Sequence, residues 1–123
     1  MANISQSGSV WRISFVRVEP GRGDEYLNHT LPLREKLLDK GVKDGVILSH
    51  KVMNGLSFGE HDWDFMFMVE YKNWAAIDGI KEKLDALNDA VIGSQEAVQD
   101  LVSERDKVRT IVGEKFMQEI VFA

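Results

Sequence analysis

Nine consecutive residues, Trp63 to Tyr71 (WDFMFMVEY), place apolar groups at alternate positions and then fill the gaps at the centre as well. A strand turns successive side chains to opposite faces. Trp63, Phe65, Phe67, Val69 and Tyr71 therefore share one face, while Met66 and Met68 lie on the other, flanked by Asp64 and Glu70. Apolar groups on both faces require cover on both sides. The segment is predicted to be an interior strand, and the rest of the chain must supply its neighbours and its covers.

The neighbours are legible. Val10 to Val18 (VWRISFVRV) mixes β-branched and aromatic residues, with Trp11, Ile13 and Phe15 on one face and Val10, Arg12, Ser14, Val16 and Val18 on the other. Glu19-Pro20-Gly21 ends that strand, because proline lacks a ladder donor and glycine permits a tight turn. Asp24 and Glu25 suit the first turn of a helix, and Leu27, Leu31 and Leu38 form its apolar stripe. Pro32 predicts a kink or a break, with Thr30 capping the second piece, and Gly41 is expected to stop it. Val46 to Met53 reads as a second strand, followed by the polar connection Asn54 to Asp62. After the third strand, Asn73 caps a helix whose buried side includes Ile77, Ile80, Leu84 and Leu87. Ser94 caps a last helix with Val98, Leu101, Val102, Arg105 and Val108 on one broad face. A fourth strand falls within Lys115 to Phe122. The order βαββαβ predicts an α+β fold, a four-stranded antiparallel sheet with helices on one face, in the ferredoxin-like arrangement.

At 123 residues the chain fits one domain, assigned here to residues 10–123 behind a flexible leader of residues 1–9. The leader lacks the basic start and apolar stretch of a secretory signal. No segment approaches the roughly 18 apolar residues of a transmembrane helix, so a cytoplasmic protein without membrane contact is expected. With 15 Lys+Arg against 20 Asp+Glu, the net charge of −5 offers no basic footprint for nucleic acid. The absence of cysteine excludes disulfides, thiolate nucleophiles and zinc–thiolate sites.

Helices on one face leave the other open. That open face is assigned Met66, Met68, Val16, Met117 and Val121. Each large side chain left wet forgoes about 1.5–3 kcal/mol. An identical sheet related by two-fold symmetry is the simplest cover, so a homodimer is expected. The competing arrangement has the helical segment after Tyr71 wrapping across that face.

Val18-Glu19-Pro20-Gly21-Arg22 followed by Glu25-Tyr26-Leu27 resembles the opening of dimeric α/β-barrel proteins, a superfamily that includes antibiotic-biosynthesis monooxygenases and stress-responsive barrel proteins. Trp63-Asp64-Phe65, Val69-Glu70-Tyr71-Lys72-Asn73 and Gly113-Glu114-Lys115 resemble segments of bacterial members of that superfamily. The resemblance implies a ligand held between sheet and helices, with Trp63, Phe67 and Tyr71 as its aromatic walls. It implies a homodimeric small-ligand-binding protein, in enzymatic form a cofactor-independent monooxygenase or isomerase acting on a small aromatic or apolar substrate with no bound cofactor. The alternative is a non-catalytic interaction or stress-response dimer whose core is filled. The Asn, Trp and His set of haem-degrading members has no residue-by-residue match, so haem degradation is not carried over.

Among individual residues, His50 is the candidate proton-handling group, because histidine alone titrates near neutrality unaided and His50 sits mid-strand beside Leu48 and Val52. Arg12, a charge on an apolar strand, is a candidate for holding a carboxylate or phenolate. His29 is expected at the surface or the helix kink. His61 stands among Glu60, Asp62 and Asp64, a spacing that matches no metal-ligand motif, so no metal is assigned. Arg105 and Arg109, spaced i,i+4 on the last helix, could flank a cleft, but with Glu104 and Asp106 nearby they are expected on a solvated helix face.

Overall fold

The computed structural model describes residues 4–122, with side chains described from Gly8 onward. Its elements run β1 (Ile4–Val18), α1 (Gly23–Glu25), a π turn (Tyr26–Thr30), α2 (Leu31–Lys43), β2 (Ser49–Asn54), β3 (Phe65–Tyr71), a 3₁₀ turn (Trp74–Ile77), α3 (Ile80–Ile92), α4 (Gln95–Val108) and β4 (Arg109–Phe122). The strands form one antiparallel sheet in the order β2-β3-β1-β4. β3 is interior, as its two-sided apolar pattern requires, and the expected ferredoxin-like α+β fold is present.

Register assigns the two faces. Val10 pairs with Tyr71, Arg12 with Val69, Ser14 with Phe67 and Val16 with Phe65, so these residues all face the helices. Trp11, Ile13 and Phe15 face the other way with Met66, Met68 and, across β4, Met117. Val16 therefore does not belong to the open face. It shares the parity of Val10 and is fully buried in a core with Val18, Tyr26, Leu31, Phe65, Phe67 and Val108. A second core joins Leu38, Ile47, Val69 and Tyr71. Among the described residues no helix covers the open face, where Met53 and Met117 stay 56% and 50% exposed. Val121 lies beside Gln6 in the β1–β4 ladder.

Local chemistry moved several boundaries. β1 begins at Ile4 rather than Val10, because its early residues pair with the end of β4 (Ile4 with Phe122, Ser7 with Ile120). The leader assigned to residues 1–9 is thus strand from Ile4 onward, and residues 1–3 lie outside the described part. At Pro32 the helical path is divided, with Pro32 in the first turn of the second piece as expected. The wider π turn precedes it and Pro32 becomes the second residue of α2, where its missing N–H is not needed. Thr30 is itself helical and makes no side-chain cap. Asn73 and Ser94 do cap, accepting from Ala76 N at 2.9 Å and Ala97 N at 3.1 Å. No helix among the described residues is long and apolar enough to cross a membrane.

Gly41 does not stop α2; it lies inside the helix, and Gly45, at φ +76°, follows its end. The reason for glycine is proximity. A Cβ at Gly41 would stand 3.3 Å from Leu87 Cδ1 and 3.4 Å from Ile47 Cγ1. Gly41→Val forces those core side chains apart and is expected to destabilise by about 1–3 kcal/mol. Gly41→Ala gains up to about 1 kcal/mol of helix propensity against a milder squeeze. Urea unfolding of the two variants checks the ordering, and a valine variant as stable as alanine would contradict the packing account.

On the open face, Glu70 accepts hydrogen bonds from Ser9 Oγ (2.6 Å) and Ser49 Oγ (2.7 Å). The Ser49 bond, then the Ser9 bond, hold its carboxyl below the ordinary glutamate value. A carboxyl depressed in the folded state contributes its stability in full above the unfolded range, near pH 4.3, and loses it as pH falls through the folded value. Glu70→Gln is expected to lose stability at pH 7 and to show a shallower fall in stability below pH 5. Urea midpoints of both proteins across that range measure it, and parallel acid profiles would remove the account.

Candidate functional site

Between the helix-facing side of the sheet and α2, α3 and α4 lies a cavity of about 520 Å³. It exists because the two long helices after β3 pack through few buried positions. Leu87 alone is buried on α3 and only Val98 and Val108 on α4, while Gly93 at φ +109° turns the chain between them. Leu101, 40% exposed, marks the open side. The floor is Phe67, Val69 and Tyr71 from β3 with Arg12 and Ser14 from β1. Leu33, Leu37, Leu84, Ile92 and Val102 add apolar walls from the helices.

The polar lining is dominated by guanidinium groups. Arg12 is committed to Glu114, its Nε 2.6 Å from Oε1. Arg34 lies over the Phe67 ring, its guanidinium carbon 4.2 Å from the ring centroid. Arg109 Nη1 donates to the Tyr26 hydroxyl at 3.3 Å. Three buried nitrogens, Arg34 Nη1, Arg105 Nε and Arg109 Nε, have no hydrogen-bond acceptor among the described residues. The carboxylate oxygens nearest the first two are Glu35 at 3.5 Å and Asp106 at 3.6 Å. A buried donor without an acceptor costs about 1–3 kcal/mol.

Burial lowers the Arg34 pKa to about 10, with neighbouring Arg109 and Arg12 adding to the fall and Glu35 opposing it. Burial, then Arg109, lowers that of Arg105 too. Tyr71 moves the other way: burial pushes its hydroxyl up, partly opposed by Arg12. The phenol therefore stays protonated at neutral pH and can donate a hydrogen bond into the cavity.

Of the residues singled out from sequence, Arg12, Phe67 and Tyr71 meet at this cavity, and His29 lines it from the π turn. Trp63 lies elsewhere. β3 begins only at Phe65; Asp64 N bonds Val16 O at 2.9 Å and its carboxylate accepts from Val18 N at 2.8 Å. That anchoring releases Trp63 from the strand's alternation, and its ring packs on Phe15 of the open face with centroids 4.7 Å apart. His50 faces the helices but is held outside the cavity, its Nε2 2.7 Å from Asp39 Oδ1 and its Nδ1 3.3 Å from Glu35 Oε2. Ligand atoms of Glu35, Asp39 and His50 lie within 4.8 Å of one another. Only the Nε2 contact to Asp39 is a hydrogen bond; Nδ1, with Glu35 3.3 Å away, has no hydrogen-bond partner among the described residues.

The acidic loop serves its own backbone. Asp62 accepts from Phe58 N (3.0 Å) and Trp63 N (2.9 Å), and those bonds, Phe58's first, lower its carboxyl pKa. Arg105 and Arg109 are not on a solvated helix face: Arg109 is the first residue of β4, and both border the cavity. Arg34 was missed, although its position was a signal. It falls i+3 from Leu31 and i−4 from Leu38, on the buried stripe of α2.

A four-stranded antiparallel sheet backed on one face by helices, with a basic cavity between the layers, defines a ferredoxin-like α+β protein. Solved structures agree on the fold. HapK from Hahella chejuensis is similar, with 12% identity over 90% of this chain and 92% of that one at a TM-score of 0.52. A dimeric protein of unknown function and ferredoxin-like fold from Bacteroides fragilis is 13% identical over 92% of this chain and 96% of its own, at a TM-score of 0.51. No protein-family model matches the sequence, and no curated protein matches it.

Proposed function

We propose that this protein is a homodimer that binds a small, partly aromatic or apolar molecule between its sheet and its helices. The observation that carries this reading is the cavity itself. Its volume of about 520 Å³ falls within the roughly 300–1,000 Å³ of small-molecule sites, and it borders Tyr71 and Phe67. A filled core, the mark of a purely interacting protein, would have closed it. Dimerisation is supported by the uncovered apolar face of the sheet and by the dimeric description of the similar Bacteroides fragilis structure. The enzymatic form of the reading is a cofactor-independent monooxygenase or isomerase. In it Tyr71 donates a hydrogen bond to the substrate, and Arg12, already engaged by Glu114, orients the cavity floor. His50, hydrogen-bonded to Asp39 outside the cavity, acts there only as a brace between β2 and α2.

The test is a screen of small aromatic and apolar compounds by methyl NMR on the full chain. Binding in the cavity shifts the methyl signals of Val69 and Val102. Val102→Trp, which fills the space from α4, is expected to weaken every hit at least tenfold. A screen with no hit, or hits indifferent to Val102→Trp, would overturn the reading.

A further inference from the structure

The strongest unexplained feature of the molecule is the trio of guanidinium groups at one end of the cavity. We infer that this cavity selects a small carboxylate with an apolar body, the carboxylate being received by Arg34, Arg105 and Arg109. The inference rests on the reading of the cavity as a ligand site and adds the charge of what enters it.

Three observations support it. First, all three arginines line the cavity, one nitrogen of each is buried without an acceptor among the described residues, and a guanidinium fork matches the two oxygens of a carboxylate. Second, the acidic residues of the lining are engaged by other cations: Glu114 by Arg12, Glu25 by Arg22 at 3.1 Å and Glu104 by Lys107 at 3.0 Å. Outside the lining, Arg34 and Arg105 have only loose carboxylate neighbours, Glu35 at 3.5 Å and Asp106 at 3.6 Å, and Arg109 has no ion-pair partner among the described residues. Third, two of the arginines are braced. Phe67 supports Arg34 from below, and the Tyr26 hydroxyl receives Arg109. Such bracing lowers the entropy lost when an anion docks. The basic spot is local, since the chain as a whole carries −5. Leu101, Val102 and Ile92 beside it would take the apolar body.

Matched pairs of acid and amide test this: benzoate with benzamide, 2-naphthoate with 2-naphthamide, and 4-phenylbutyrate with 4-phenylbutyramide, titrated into the unmodified protein and followed by methyl NMR. The expected result is that acids bind at least tenfold more tightly than their amides and shift the Val69 and Val102 methyls. Arg34→Gln and Arg109→Gln are expected to cut that ratio to threefold or less. Amides binding as well as acids would overturn the inference and leave the cavity reading standing. Acids that bind without moving those methyls would also overturn the inference. Silence from every acid and amide would overturn both. The acid-to-amide ratio on the unmodified protein decides the matter even where an arginine variant does not fold.

Discussion

Phe67→Ala is expected to lower the unfolding free energy by about 3–5 kcal/mol. Phe67 is 3% exposed at the centre of the interior strand. Its ring stacks on Phe65 with centroids 6.1 Å apart, meets Tyr26 edge-on at 6.5 Å and carries the Arg34 guanidinium. Truncation removes apolar burial, and the void left behind joins the existing cavity rather than collapsing, because the cavity already separates β3 from α4. It also takes away the surface on which Arg34 rests. Chemical denaturation measures the loss. Phe58→Ala is the internal control: that ring is 90% exposed, and its removal should change stability by no more than about 0.5 kcal/mol. Equal losses from the two substitutions would contradict the assignment of the core.

The second large effect concerns the open face. Met66→Lys is expected to weaken the proposed dimer by at least a hundredfold while leaving the subunit folded. Met66 is chosen for its neighbours: Phe15 across β1, Met53 across β2, and Gly113 beyond Phe15 on β4. None of these offers a carboxylate, so a buried ammonium there would have no partner. Met68 would be a poorer test, since an acid placed there meets Lys51 directly across β2. In the isolated subunit Met66 is only half-buried, and a lysine can carry its charge into water. Light scattering after size exclusion reads the mass of both proteins, and circular dichroism confirms the fold. A native protein that is monomeric at micromolar concentration, or a variant that remains dimeric, would remove the two-fold architecture.

The sheet was legible because alternation is a local property. The parity of Phe65 to Tyr71 alone decides which side chains meet the helices, and the pairing register adds only who stands opposite. Val16 was misassigned because apolar groups on both faces of its strand blur parity; its partner Phe65, known only from the register, settles it. Trp63 shows the limit from another direction. Continued alternation would have put it in the cavity, but the anchoring of Asp64 to Val16 and Val18 ends the strand first. That pairing spans 46 residues for Val18 and Asp64, far beyond any window of sequence pattern. Arg34 could have been found from its place on the α2 stripe. Its convergence with Arg109 depends on where β4 starts, and the switch from helix to strand between Val108 and Arg109 carries neither glycine nor proline.

The joining of the chain's first and last strands has a kinetic consequence. Arg12 and Glu114, which lock this pairing, are 102 positions apart, and the fifteen-residue β1 and fourteen-residue β4 share the longest ladder in the sheet. Native contacts at such separations raise the contact order and slow folding relative to helical domains of similar size. Until β4 arrives, β1 presents an unpaired edge to other chains. Aggregation during refolding should therefore rise with protein concentration, and a tethered β4 peptide should suppress it.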